Sequence, residues 1–410
     1  MILRTFKSSI SVITAIILFF ALFLHSCNEK PTDISYDMLY DTLSIIKHTS
    51  FEKAYFEGGE SVFTPGNIFN AGAVLIGKYQ ETKSFHFMRF GNFPDTLSYL
   101  TPENVDSVVI TMYPDRYALG DTNTNRLAFD VYQVDNYWSN QTDLDSIYED
   151  PSGKPYITDR KVGNWEGVIE LKDTMDNITF HLDKELFTEW LQLQPDTNAA
   201  VINWGIAFMP SENSTKIQLF KAYRSIDDPW ETNLTAYYTN DQGESDTLRI
   251  SAAINKSFAS APEPEENELI MQSGVRYNTR FQVDLTSLPD LSGIHYAKMK
   301  LHLNKEKSLY GNMGIDSLLS VNHDMDDESM ISSMGYYDKE KNLYIFYDLV
   351  MQLEYILRHG KKGDIELDFS SFNEKTRHLD RYSFYGFDAA DSTKLPVLEI
   401  IYSTRPDACK

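Results

Sequence analysis

Cysteine is nearly absent: the 410-residue chain holds Cys27 and Cys409 and no other. No disulfide framework can be built from them, so a chain of this size must be held by apolar cores. Basic residues are also short, 37 Lys and Arg against 60 Asp and Glu, for a formal net charge of −23. That balance disfavours nucleic acid as a partner, because phosphate binding needs Lys and Arg patches. It also disfavours adsorption on anionic lipid, and suits neutral or cationic ligands. Catalytic signatures are missing as well. There is no His-Glu-x-x-His, no Gly-x-Ser-x-Gly, no Walker loop and no Gly-x-Gly-x-x-Gly. The nine histidines are scattered; His295 and His302 have ligand-like spacing but fall on different strands or strand ends. Tryptophan, finally, is missing from everything after Trp230.

The N-terminus is rich where the rest is poor. Arg4 and Lys7 precede an apolar run from Ile10 to Leu24, which stops at Leu24-His25-Ser26-Cys27. A basic segment, about fifteen apolar residues and a small residue before the cut make a secretory signal over residues 1–26. The run is short of the about 20 residues that span a bilayer. Leu-x-Ser-Cys resembles the lipobox of bacterial lipoproteins. That resemblance implies that Cys27 is acylated and that residues 27–40 tether an exported body to the outer membrane. An ordinary signal peptide or a short membrane anchor are the alternatives.

Beyond the tether, the chain reads as a duplication. Leu75–Lys78 and Ser84–Phe90 are echoed by Leu269–Gln272 and Thr279–Leu285. Val108–Tyr113 matches Ala297–Leu303, and Phe129–Val134 matches Ile315–Val321. Ile178–Asp183 with Leu186–Leu191 is answered by Leu343–Asp348 with Val350–Leu353. Asn203–Phe208 and Asn233–Tyr238 correspond to Asp364–Phe369 and Pro396–Tyr402. Most of these segments alternate apolar and polar residues and favour β-branched and aromatic types, the signature of half-buried strands. The exceptions follow Asp183 and Asp348, where helical spacing predicts one short helix in each copy. Many short strands without a βαβ rhythm predict an all-β chain of two tandem antiparallel β-sandwiches, over residues 41–258 and 268–403. Residues 259–267, rich in Ala, Pro and Glu, read as a partly extended, solvated linker.

These segments resemble the bacterial jelly-roll module named for the letters DNRLRE, a carbohydrate-binding-type sandwich. Leu75-Ile76-Gly77, Ser84–Phe90, Val108–Tyr113, Val131–Val134 with Trp138, and Pro396–Tyr402 carry the likeness. Asp106-Ser107-Val108, Val131-Tyr132 and Leu182–Leu186 are similar to a family of uncharacterised Bacteroidetes lipoproteins. The resemblance implies a jelly-roll fold and a glycan ligand, and it tilts Trp138 toward a structural role.

Candidate site residues come from the aromatics. Trp138, Trp165 and Trp230 fall in or beside loops of the first module, where an exposed ring can stack on the apolar face of a sugar while nearby Asp, Asn and Glu accept its hydroxyls. Trp190 and Trp204 read as core. Asp121, Asn123 and Asn125 have the alternate-oxygen spacing of a calcium loop but lack its glycine and its distant glutamate, so calcium competes with a plain Asx-rich turn. The run Asp324–Glu328 reads as a solvated acidic loop. Asp-Thr/Ser-apolar triplets such as Asp106-Ser107-Val108 resemble an O-glycosylation signal of exported Bacteroidetes proteins. The expectation is a non-catalytic, lipid-anchored envelope protein that needs no cofactor and binds a glycan through its first module. The alternatives are a structural or adhesive lipoprotein that docks envelope protein and, last, a polysaccharide-cleaving enzyme.

Overall fold

The computed structural model describes residues 44–49, 55–63, 73–121, 124–148, 155–170, 176–193, 203–222, 231–275, 277–325, 329–369 and 378–404. Cys27 lies outside them. The chain is all-β, with two antiparallel sheets and three short helices among the described residues. Those residues include no helix long and apolar enough to cross a membrane.

The first sheet holds ten strands. They are β3 (Ala73–Tyr79), β4 (Thr82–Phe90), β5 (Val105–Gly120), β6 (Arg126–Val134), β7 (Ile157–Val168), β8 (Ile178–Leu182), β9 (Ile206–Pro210), β10 (Lys216–Lys221), β11 (Asn233–Thr239) and β12 (Ser245–Ser260). Pairing of β9 with β4 and of β10 with β5 closes this sheet into a barrel. Two glycines with positive φ make the closure: a Cβ at Gly77 or Gly120 would run into the backbone of Lys216 on β10. Helix α1 (Leu144–Tyr148) lies between β6 and β7, and α2 (Lys184–Leu193) follows β8. Asp183 starts α2 by accepting from the Glu185 amide at 2.9 Å. Leu186, Phe187, Trp190 and Leu191 then bury against the barrel core with Phe90 and Phe93.

The second sheet holds eleven strands and stays open. It contains β13 (Leu269–Gln272), β14 (Tyr277–Asp284), β15 (Gly293–His302), β16 (Leu318–Asp324), β17 (Met330–Asp338), β18 (Leu343–Phe346), β19 (Lys362–Phe369), β20 (Arg381–Phe384) and β21 (Val397–Thr404). Alternation is clear in β14, where Tyr277, Thr279, Phe281 and Val283 are buried and the residues between them are not. Helix α3 (Val350–Arg358) buries Leu353 and Ile356 but leaves Met351 exposed, so the apolar stripe is narrower than the sequence suggests.

The remaining two strands come from the N-terminal end. β1 (Ser44–Thr49) pairs with β21, and β2 (Phe56–Phe63) pairs with β14. Sequence order had placed residues 44–63 in the first module; strand pairing puts them in the second sheet. The reason is packing. Tyr55 and Phe56 are buried in the second core against Phe281 and its neighbours, and Ile46 packs on the same core.

A third cluster joins the halves. Leu75, Leu119, Ile217 and Leu219 of the barrel pack with Leu379. Tyr117 donates to Asp380 Oδ1 at 2.9 Å, accepts from the Leu379 amide at 2.8 Å, and lies parallel to the His378 ring at 3.8 Å. Burial and the adjacent Asp380 carboxylate hold the Tyr117 hydroxyl well above the usual phenol range. Asn312 brackets β5, exchanging hydrogen bonds with the backbone of Ala118 and donating to the Arg116 carbonyl. The connection after β12 is exposed over Pro262–Glu263 and Glu265–Asn267, as the sequence predicts, but it is pinned. Arg381 donates to the Pro262 carbonyl at 3.2 Å and pairs with Glu268 at 2.9 Å, and Lys307 pairs with Glu265 at 2.7 Å.

Candidate functional site

Strands β6 and β7 position the candidate groove. Trp165 on β7 stands directly across from Phe129 on β6, and the two rings stack with centroids 6.0 Å apart at 26°. Gly167, two residues on, makes room for the indole: a Cβ there would come within 2.7 Å of Trp165 Cζ2. The ring therefore lies along the strand and stays half-buried. It forms one wall of a depression of about 460 Å³. Val168, Ile169 and Ile178 supply apolar surface there; Glu170, Asp176, Asn177 and Thr179 supply oxygens and one amide. An aromatic platform flanked by short polar side chains can stack one sugar ring and hydrogen-bond its hydroxyls.

The groove is braced from behind. Lys216 on β10 donates to the Ile169 carbonyl at 2.9 Å and to Asn125 Oδ1 at 2.7 Å. Burial lowers its ammonium pKa to about 8, so it still carries charge at neutral pH. Arg126 pairs with Glu166, and Lys161 with Asp130 at 2.7 Å, on the outer face of the same two strands.

The Lys216 contact overturns the calcium expectation. Asn125 already faces an ammonium, which repels a divalent cation. Asp121 accepts from the Thr124 hydroxyl at 3.1 Å, and its carbonyl accepts from the Asn125 amide, which is the geometry of an Asx-rich turn. Asn123 lies outside the described residues. Among those residues no three His, Cys, Asp or Glu side chains are grouped to hold a metal.

Trp138 is also corrected. Its ring is 1 % exposed, packs edge-on against Phe87 at 5.6 Å, and donates through Nε1 to the Trp204 carbonyl at 2.6 Å. No face is left for a ligand, so Trp138 anchors the packing of Phe85, Phe87 and Phe258. Trp230 lies outside the described residues. Trp190 is buried, as expected. Trp204, expected in the core, is half-buried instead, with Tyr137 edge-on at 5.2 Å and the Arg89 guanidinium 5.9 Å from its ring centre. Trp204 precedes β9 rather than lying within it, and strand periodicity therefore misplaced it. Adjacent aromatics in Tyr137-Trp138, one out and one in, were the signal for that second aromatic surface.

No family model matches the chain, and no curated protein matches it. Among solved structures, the crystal structure of the infectious bursal disease virus VP2 subviral particle aligns over 88% of this chain and 76% of that one. The identity is 8% and the TM-score 0.12, too low to carry an argument.

Proposed function

We propose that the chain is an exported protein, lipid-anchored to the outer membrane through Cys27, that binds a glycan non-catalytically in the Trp165 groove. In this reading its two halves are tandem sandwiches of jelly-roll type, and the first carries the ligand. The observation that supports the glycan most directly is the shared depression of Trp165 with Asp176, Asn177 and Thr179. Stacking supplies affinity without demanding one sugar, and the short polar side chains orient the ring.

Titration of the exported domain with neutral oligosaccharides, followed by intrinsic fluorescence, tests this. Every tryptophan lies between residues 138 and 230, in the first of the two proposed sandwiches, so the signal reports on that sandwich alone. Trp165→Ala is expected to weaken binding about ten- to a hundredfold, the effect of losing one stacking aromatic. Binding that is unchanged in Trp165→Ala would remove the groove from the reading. Because Glu170 and Asp176 share the depression, the same titration is assayed for new reducing ends; their appearance would convert the binder into a hydrolase.

A further inference from the structure

The two sheets have the same wiring. In the first, β4 pairs with β3, β9 and β12, and β5 with β8 and β11; in the second, β14 pairs with β13, β19 and β2, and β15 with β18 and β21. β6 with β7 and β9 matches β16 with β17 and β19, and β10 with β3 matches β20 with β13; the β10–β5 ladder that closes the barrel is reduced in the second sheet to one bridge, Leu303 with Phe384. One strand breaks the symmetry of chain order. In the first sheet the place between β11 and β4 is filled by β12, whose residues 245–251 pair with β11 and 252–260 with β4. In the second sheet the matching place, between β21 and β14, is filled by β1 and β2 together. Their registers agree, since Ser245 opposes Thr239 at the end of β11 as Ser44 opposes Thr404 at the end of β21.

Each of these segments leads into the opening strand of a repeat. Nine residues separate Phe63 from Ala73, and eight separate Ser260 from Leu269. Residues 44–63 thus lead the first repeat but complete the second sheet, while residues 245–260 lead the second repeat but complete the first sheet. The halves of one chain hold each other by a reciprocal exchange of leading strands.

We infer that the slot beside β14 also accepts residues 44–63 of a second copy of this chain. Three features make the segment transferable. Neither strand pairs with any strand of the first sheet. β2 runs alone along the edge of β14 opposite β19, and its removal would leave the β19–β14 pairing in place. The slot offers seven backbone partners on β14, and Ser61 spans its far side by donating to the Glu268 carbonyl and accepting from the Ile270 amide at 2.8 Å. Every one of these contacts is the same whichever copy supplies the strand, so local protein concentration sets the balance.

Val62 and Asn278 oppose each other across β2 and β14, at a spacing an antiparallel pair can bridge with a disulfide. In full-length chain with Cys27 and Cys409 changed to Ser, Val62→Cys plus Asn278→Cys in one molecule is expected to give an intrachain disulfide. The two single variants, unfolded together and refolded as a mixture at increasing concentration, are expected to give an interchain heterodimer whose yield rises with concentration. An intrachain bond without any interchain product up to about millimolar protein, the effective concentration of a tethered segment, overturns the inference. Absence of the intrachain bond overturns it too, because the pairing itself would then be wrong.

Discussion

The two sheets differ in how far the chain travels to complete the same pairing. In the first, β12 turns back from β11 across Asn240–Glu244 and pairs with its nearest neighbour in sequence. In the second, Ser44 pairs with Thr404, so almost the whole chain must be made before β1 finds its partner. The contacts are alike and the loop-closure cost is not. All strands of the barrel are present once residue 260 is reached; the open sheet waits for both ends of the chain.

Core truncations break the comparison most strongly. Tyr55→Ala removes a fully buried ring of the second core and should cost about 3–5 kcal/mol. Amide exchange should then accelerate across residues 269–404 and not across 73–260, although Tyr55 precedes both in sequence. Trp138→Ala should cost a similar amount and show the reverse pattern. Equal loss of protection in both halves for either variant would mean that the halves open as one unit.

The junction comes next. Asp380→Ala leaves the Tyr117 hydroxyl and the Gly311 amide without their shared acceptor, a loss of about 2–4 kcal/mol. Calorimetry should resolve two transitions that lie further apart in the variant than in the parent chain. A single transition in both would place the coupling in the exchanged strands rather than in the Tyr117 contact.

Acid should also separate the halves. His86 of β4 is fully buried, its Nδ1 is 2.8 Å from the Ser257 hydroxyl, and burial lowers its pKa to about 3. The unfolded chain takes up a proton near pH 6.5 that the folded barrel refuses. This contribution to stability is therefore complete above about pH 6.5 and is lost as pH falls toward 3, by on the order of 3–5 kcal/mol. Denaturant melts from pH 7 to 4 should show the barrel weakening along that range. His86→Gln should flatten the slope.

The smallest effect is expected at the connection. Lys307→Ala removes an exposed pair with Glu265 and should leave overall stability nearly unchanged. Limited proteolysis is the more sensitive readout, with cleavage near residues 262–267 expected to accelerate. Even then the fragments should stay together in gel filtration, because residues 44–63 remain inserted in the second sheet.

Strand content was legible in the sequence because burial on one face leaves a period of two: β8 and β14 follow it residue by residue, and β15 does so from Ala297 onward. Both longer helices were legible from their apolar spacing after Asp183 and Asp348. What periodicity does not carry is partnership. Nothing in Ser44–Thr49 marks Thr404 as its partner, and so the N-terminal strands were assigned to the nearer half. The candidate site was legible in part. Trp165 was found from its loop-like, Gly-flanked setting, yet Trp138 is buried and Trp204 half-buried, because both lie outside strands, where a period of two gives no facing. The calcium spacing misled because the cation that satisfies Asn125 is Lys216, ninety-one residues away in sequence.

Reciprocal strand exchange also has a genetic consequence. Deleting either sheet together with the segment that leads into it leaves one leading segment and one slot, which must then meet within a single sheet rather than across two. Tandem duplications ordinarily drift in copy number because each added unit stacks on the last and needs only its neighbour. Here the exchanged strands tie each sheet to the other, and a deletion whose remaining leading segment fails to reach the remaining slot exposes an unpaired β14-type edge, the kind of surface on which sheets aggregate.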